Sequence, residues 1–312
     1  MSLLPFINTM IAFIMALLGM AFFTLLERKI LGYAQLRKGP NKVSLMGIPQ
    51  PLADALKLLA KEQIKPSLAN LIPLLSSPTA ALFLALLLWS LYPSSYPTHF
   101  FIFGTLFMLC VSSLNVYTTL VAGWASNSKY ALMGSLRSIA QTISYEISMA
   151  LILLGALSLT LSFDLTLIMT SQMSLVGLLI FPSLLTWFAT ALAETNRTPF
   201  DLSEGESELV SGFNTEYSGG SFALIFMAEY TNILFMSLIT SIFFLTAITL
   251  PPLDNLMMTF KTLLVAILFL WVRASFPRMR YDRLMSITWK SFLPYSLSAL
   301  IIISAGSFFL SI

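Results

Sequence analysis

Long apolar runs alternate with short polar segments along almost the whole chain. Eight runs have the length of a membrane-spanning helix, since about 20 apolar residues are enough to cross a bilayer. We therefore predict an all-α integral membrane protein whose residues 1–312 form a single transmembrane domain. The predicted spans lie at 3–26, 68–91, 100–122, 139–163, 173–194, 219–248, 256–275 and 289–311.

The basic residues predict how these spans are oriented. Sixteen of the 17 Lys and Arg residues fall in segments on one face of the predicted bundle, and only Lys261 falls on the other. Loops rich in Lys and Arg stay on the inner side of a membrane. We therefore expect both termini on the outer side. Residues 27–67 and 195–218 then form inside loops.

The first inside loop contains a pattern typical of an amphipathic helix. Prolines bound the segment, at Pro49 and Pro51 on one side and at Pro66 on the other. Its leucines fall on one helical face and its charged residues on the opposite face. We predict a helix that lies in the membrane interface. The residues on the two faces are Leu52, Leu56 and Leu59, and Asp54, Lys57, Lys61 and Lys65.

Carboxylates are concentrated in and next to the inside loop 195–218. One basic residue, Arg197, accompanies six acids: Glu194, Asp201, Glu204, Glu206, Glu208 and Glu216. Crowded carboxylates near an apolar phase do not all ionise freely, so such a group can take up and release protons. The alternative is a solvated acidic loop.

Two more carboxylates lie inside predicted spans. Glu146 is in the fourth span and Glu229 in the sixth. A carboxylate at membrane depth needs a partner, water or a proton, and such residues commonly mark proton paths. The alternative is that both are buried, protonated and purely structural.

Composition agrees with a membrane protein and narrows the chemistry. Hydrophobic residues make up 57% of the chain and charged residues 10%, and the mean hydropathy is +0.85. The net charge of +3 gives no support for a nucleic-acid partner. The first apolar run is too long for a cleaved signal, so we expect a retained helix without a transit peptide.

Few residues suit a metal or a bound cofactor. The single cysteine, Cys110, excludes a disulfide framework and an iron–sulfur cluster held by this chain alone. His99 has no second ligand nearby in the sequence, so we expect no metal site. No glycine-rich fingerprint follows a strand pattern, so we expect no NADH site on this chain.

Five segments resemble a known family. They are LERKILGYAQLRKGPNKV (26–43), GWASNSKYALMGSLRSIAQTISYE (123–146), ETNRTPFDLSEGESELVSGFNTEY (194–217), FALIFMAEYTNI (222–233) and PRMRYDRLM (277–285). Together they are similar to the subunit 1 family of respiratory complex I, NADH:ubiquinone oxidoreductase. This family also includes the corresponding membrane protein of bacterial complex I.

The resemblance implies a coupling site and a substrate site. The implied proton channel consists of Asp201, Glu204, Glu206, Glu216, Glu194, Glu146 and Glu229, and the implied ubiquinone chamber includes Arg28, Arg37, Asp54, Phe226 and Arg278. Ubiquinone is then the substrate, whereas NADH, FMN and iron–sulfur clusters bind to partner subunits.

The resemblance also implies partners and a location. The expected partners are peripheral-arm subunits of the quinone site, small neighbouring membrane subunits and phospholipids, in the mitochondrial inner membrane. Polar residues around Trp124 and Asn127 suit a surface for the peripheral arm. Three alternatives remain: a stand-alone ion/proton antiporter, a membrane subunit of an energy-converting hydrogenase, and a structural anchor. An antiporter predicts an internal repeat, and we find no convincing one.

Overall fold

A computed structural model describes residues 4–93, 101–172, 174–203, 205, 210–246 and 254–311. Within these ranges the regular structure is helical, which confirms the predicted class. The helices are α1 (Leu4–Ala34), α2 (Gln50–Ala60), α3 (Leu71–Trp89), α4 (Gly104–Ala125), α5 (Lys129–Thr160), α6 (Leu165–Ser171), α7 (Val176–Leu179), α8 (Phe181–Glu194), α9 (Gly219–Phe244), α10 (Asp254–Ser275), α11 (Tyr281–Ile287) and α12 (Leu293–Ser311).

Seven helices in the described part of the chain are long and apolar enough to cross a membrane. They are α1, α3, α4, α5, α9, α10 and the helix that runs from α11 through a π-helical turn at Thr288–Phe292 into α12. The predicted fifth span is divided instead. Its helix α7 ends at Leu179, and α8 begins at Phe181 with a proline in its first turn. An eighth membrane crossing therefore stays a prediction.

The helix that contains the predicted fourth span, 139–163, begins before it. Helix α5 begins at Lys129, so the polar segment 129–138 is helical. The hydroxyls of Ser135 and Ser138 donate to carbonyl oxygens of the same helix, at 3.0 and 2.8 Å, and so need no partner outside it. The helix is therefore longer than its apolar run.

Two helices form the centre of the bundle. Helix α9 packs against α1, α3 and α10, and α5 packs against α4, α8 and α12. The C-terminal half of α9 is buried on nearly every side from Phe235 to Phe244. Its small polar residues there, such as Ser237 and Ser241, donate to their own helix backbone, which satisfies them and lets neighbouring helices approach closely.

The end of the bundle at which α2 meets the start of α9 carries irregular segments. The loop after α1 folds back so that Gly39 lies against the backbone of Arg28. Helix α2 packs against α1 and α9, and three of its four leucines, Leu52, Leu56 and Leu59, are exposed. Helix α9 begins at Gly219, whose φ of +60° is in the left-handed region and whose missing side chain leaves room for the carbonyl of Lys61. The chain thus brings α2 next to the start of α9.

Candidate functional site

The candidate carboxylates lie at or near this end of the bundle. We call residues 195–218 the acidic loop. Glu204 and Glu206 lie outside the residues that the structure describes. Glu216 lies half-buried in the turn before α9.

Asp201 forms an ion pair with Arg278. The distance from Arg278 Nη2 to Asp201 Oδ2 is 2.9 Å, and the two side chains are 32% and 7% exposed. The backbone holds the same two segments together, because the amide of Met279 donates to the carbonyl of Pro199 at 2.9 Å. A residue of the predicted proton channel is therefore in contact with a residue of the predicted quinone chamber.

Glu194 and Glu229 line one polar cavity, which lies between α3, α4, α8 and α9. The cavity has about 50 Å³ of space for the centres of water molecules, and about 10–15 Å³ of such space is enough for one water. Its other polar residues are Ser77, Asn115, Thr118, Thr119, Thr195, Asn196 and Asn232. The two predicted channel residues therefore face a space large enough for several waters.

Two buried oxygens belong to residues that line this cavity. Oε2 of Glu194 and Oδ1 of Asn232 accept no hydrogen bond from any described residue. Buried polar atoms in proteins are nearly always satisfied, by ordered water where protein donors are missing. A second cavity, of about 20 Å³, shares Asn115, Glu194 and Asn232 with the first and continues towards Phe235. The space beside Glu194 therefore continues into the bundle, where its lining becomes mostly apolar.

Glu146 lies beside this pair. It occupies the middle of α5 and is half-buried. Its carboxylate is close enough to that of Glu194 for their charges to interact. Three helices, α5, α8 and α9, therefore bring three of the predicted channel carboxylates to one region of the bundle.

Gln141 joins α5 to the acidic loop, and the sequence reasoning missed it. Its buried Nε2 lies 3.0 Å from the carbonyl oxygen of Ala193 and 2.8 Å from that of Phe200. Ala193 is the residue before the end of α8, and Phe200 is the residue before Asp201. Gln141 therefore fixes the segment that joins Glu194 to Asp201. The sequence offered no signal for this role, because one glutamine in a helix has no distinctive pattern.

Arg28 and Asp54, both predicted for the quinone chamber, form an ion pair between α1 and α2. The distance from Nη1 to Oδ2 is 2.6 Å, and the side chains are 51% and 35% exposed. Gln50 donates to the other oxygen of Asp54 at 3.0 Å. Arg37 is exposed in the loop after α1. Neither Arg37 nor Glu216 takes part in the Arg28–Asp54 pair or in the Asp201–Arg278 pair.

Phe226 belongs to a column of aromatic rings along one face of α9. The column consists of Phe222, Phe226 and Tyr230, which are spaced four residues apart. Ring centroids are 4.4 Å apart between Phe222 and Phe226, and 6.3 Å apart between Phe226 and Tyr230. Phe23 of α1 packs edge-on against Tyr230 at 6.0 Å. An apolar ring or chain fits against such a surface.

The structure reveals a charge cluster that the sequence reasoning missed. Glu27 of α1 is buried and forms ion pairs with Arg197, at 3.2 Å, and with Arg273. Arg197 also stands over the ring of Tyr230, with Cζ 4.4 Å from the centroid. We call Glu27, Arg197, Arg273 and Tyr230 the Glu27 cluster. Burial alone would lower the pKa of Arg197, but Glu27, Tyr230 and Glu229 together more than offset this and the pKa is raised. Arg197 therefore remains charged.

A signal for Glu27 was present in the sequence. The buried residues of α1 include Ala16, Met20 and Phe23, and Glu27 continues this series at helical spacing. An acid on the buried stripe of a helix requires a partner. The signal was hidden because Glu27 stands next to Arg28 and Lys29, in a segment typical of a basic membrane boundary.

Comparison with known proteins gives full-length matches. The chain is similar to proteins named NADH-ubiquinone oxidoreductase chain 1. That of Heterololigo bleekeri is 52% identical over 312 residues, which is 100% of both chains. That of Pongo pygmaeus is 55% identical over 301 residues, 95% of both chains. That of Aedes aegypti is 51% identical over 299 residues, 96% of this chain and 94% of the relative.

The family profile described as NADH dehydrogenase matches residues 7–304. This range contains every candidate residue discussed above, from Glu27 to Arg278. On the strength of this match and of relatives more than 50% identical over their full length, the chain belongs to the NADH dehydrogenase family.

Proposed function

We propose that the chain is a core membrane subunit of proton-pumping NADH:ubiquinone oxidoreductase. In this proposal it forms much of the ubiquinone chamber, and its carboxylates couple quinone reduction to proton translocation. The names of the relatives support membership in this respiratory-chain enzyme. Seven long apolar helices support a multi-pass membrane protein.

The observation that carries the coupling role is the polar cavity shared by Glu194 and Glu229. Carboxylates that face space for water can pass protons with little movement of heavy atoms, whereas carboxylates packed against apolar atoms cannot. Glu146 supplies a third group beside Glu194. The buried oxygens of Glu194 and Asn232 give waters positions to occupy. The cavity therefore supports a proton route over three merely structural acids.

The chamber would lie between the pair Arg28–Asp54 and the aromatic column. Ubiquinone has a long apolar tail and a head with carbonyl oxygens, so it needs apolar walls, a few donors and an opening to the membrane. Phe222 and Phe226 offer an apolar wall on α9. The exposed leucines of α2 suit an opening at the level of the lipid tails.

The pair Asp201–Arg278 would transmit the signal between the two sites. Reduction of the quinone creates negative charge, or a demand for protons, near the chamber. A charge near Arg278 competes with Asp201 for the guanidinium, and so changes the affinity of the loop carboxylates for protons. A shift of one pKa unit corresponds to about 1.4 kcal/mol, so several coupled carboxylates together would carry part of the transferred energy.

The proposal includes partners and a location. NADH, FMN and the iron–sulfur clusters would bind to other subunits, and the inside loops would contact the peripheral arm. Exposed Trp124 and Tyr130 suit such a surface. Phospholipids would cover the outer helix faces. The chain would lie in the mitochondrial inner membrane with both termini towards the intermembrane space.

The variant Glu229→Gln in the assembled complex tests this function. The complex is reconstituted into vesicles, and the protons translocated for each NADH oxidised by a short-chain ubiquinone are measured. We expect the ratio to fall, because glutamine keeps the shape of Glu229 but does not exchange a proton. The matched control is Asp164→Asn. Asp164 caps α6 by accepting from the amide of Thr166, and asparagine caps equally well.

Full pumping by Glu229→Gln would remove the proposed proton route and leave the structural anchor. Ion exchange by the isolated chain in vesicles would support the antiporter instead. Purification of the chain from its native membrane tests the energy-converting hydrogenase. Co-purifying flavin and iron–sulfur proteins with NADH:ubiquinone activity would support NADH:ubiquinone oxidoreductase. Co-purifying hydrogenase activity would support the hydrogenase instead.

A further inference from the structure

Glu27 is a buried carboxylate that the proposed function does not use. Its side chain is 4% exposed, although its neighbours Arg28 and Lys29 in α1 are exposed and partly buried, respectively. A buried carboxylate is strongly unfavourable unless it is paired and hydrogen-bonded. The burial of Glu27 is therefore tolerated because of its ion-pair partners, Arg197 and Arg273.

The two partners of Glu27 come from distant parts of the chain. Arg197 lies in the acidic loop and Arg273 in the last turn of α10, so one carboxylate ties together α1, the loop and α10. Two guanidinium groups face one carboxylate. Removal of Glu27 would therefore leave these two guanidinium groups without the carboxylate that they share.

Arg197 stands between the two candidate carboxylates of its segment. Its amide donates to the carbonyl of Leu192 at 3.1 Å, and its own carbonyl accepts from the amide of Phe200 at 2.8 Å. Glu194 lies three residues before it and Asp201 four residues after it. Whatever holds the Arg197 side chain therefore restrains both carboxylates.

Arg197 also packs on the end of the aromatic column, against Tyr230. Its guanidinium covers the ring of Tyr230, which stacks on Phe226. Cation–π contacts of this kind are strongest where water is excluded. A guanidinium released by Glu27 would no longer be held over the ring, and the end of the column nearest the acidic loop would rearrange.

We propose that Glu27 is a positioning residue for quinone reduction, which holds Arg197 so that the aromatic column and the segment from Glu194 to Asp201 keep their relative placement. This inference rests on the proposed function, since it assigns the column to the quinone chamber. Glu27 acts through Arg197 and does not itself exchange protons or contact the substrate.

The test uses the assembled complex with Glu27→Gln, Glu27→Asp and the double variant Glu27→Gln/Arg273→Gln. The measurements are kcat and KM for a short-chain ubiquinone, and hydrogen exchange of backbone amides in residues 195–203. We expect Glu27→Gln to lower kcat/KM about tenfold or more and to speed exchange in this segment. Glu27→Asp keeps the charge and should recover most of the activity. The double variant removes the excess guanidinium and should recover part of it.

The control variant is Asp282→Asn, which removes a carboxylate from an exposed ion pair with Arg280. We expect kinetics and exchange like those of the unmodified complex. Unchanged kcat/KM and exchange in Glu27→Gln would overturn the proposal, and so would equal losses in Glu27→Gln and Glu27→Asp. If Glu27→Gln does not assemble, Arg197→Lys decides, because it keeps the charge but not the planar group over Tyr230. A raised KM supports the proposal, and unmodified kinetics overturns it.

Failure of this inference is distinguishable from failure of the proposed function. Glu27→Gln is read in quinone kinetics and loop exchange, whereas Glu229→Gln is read in protons translocated for each NADH. Unchanged pumping in Glu229→Gln together with reduced kcat/KM in Glu27→Gln would reject the proton route and retain the positioning role.

Discussion

Replacing Asp201 by asparagine removes the carboxylate from its ion pair with Arg278. A hydrogen bond between charged groups contributes about 1.5–3 kcal/mol. Asp201 is buried, but the side chain of Arg278 is 32% exposed, so water screens part of the interaction. We therefore take the lower part of that range, about 1.5–2 kcal/mol. If the pair is needed during quinone reduction, this free energy corresponds to a loss of about 10- to 30-fold in kcat/KM.

The assay is a double-mutant cycle with Asp201→Asn, Arg278→Gln and the double variant in purified complex, using a short-chain ubiquinone. Residues that act as a pair give non-additive effects, so the double variant should be no worse than the poorer single variant. The control cycle is the exposed pair Arg280–Asp282. Exposed pairs contribute about 0.2–1 kcal/mol, so less than about sixfold change is expected there. Additive losses, or a change in Asp201→Asn no larger than that of the control, would refute the reasoning.

Two further variants test the cavity and the packing of the acidic loop. Asn232→Leu removes a polar oxygen from the cavity, and we expect fewer protons translocated for each NADH while quinone reduction by the complex persists; unchanged stoichiometry would argue against hydration at this position. Gly134→Val places a Cβ about 3.0 Å from Gly212 Cα and Phe213 N. Such overpacking costs about 1–3 kcal/mol, so native electrophoresis should show less assembled complex, and an unchanged amount would contradict the observed contact.

The long helices were predictable because a span depends on one property, the length of an apolar run. Their ends were not, since α5 continues past its apolar run to Lys129 and satisfies its serines internally. The fifth run also has suitable composition, but its helix is interrupted between Leu179 and Phe181. Hydropathy does not detect such an interruption, because it averages over residues and ignores backbone direction.

The candidate site was predictable where a residue was unusual for its surroundings. Glu146 and Glu229 stand out as acids inside apolar runs, and the structure places both near Glu194 or its cavity. Pairings between distant segments were not predictable. The pairs Asp201–Arg278 and Glu27–Arg197 join residues 77 and 170 positions apart, and their partners look like ordinary boundary cations in the sequence.

The central claim is that water connects Glu194, at the end of α8, with Glu229 inside the bundle. A density map of the assembled complex that resolves ordered water measures this directly. The account predicts waters within hydrogen-bonding distance of Glu194 Oε2, Asn232 Oδ1 and the Glu229 carboxylate, in one connected chain. A map in which apolar side chains or lipid fill the space between Glu194 and Glu229 would contradict it.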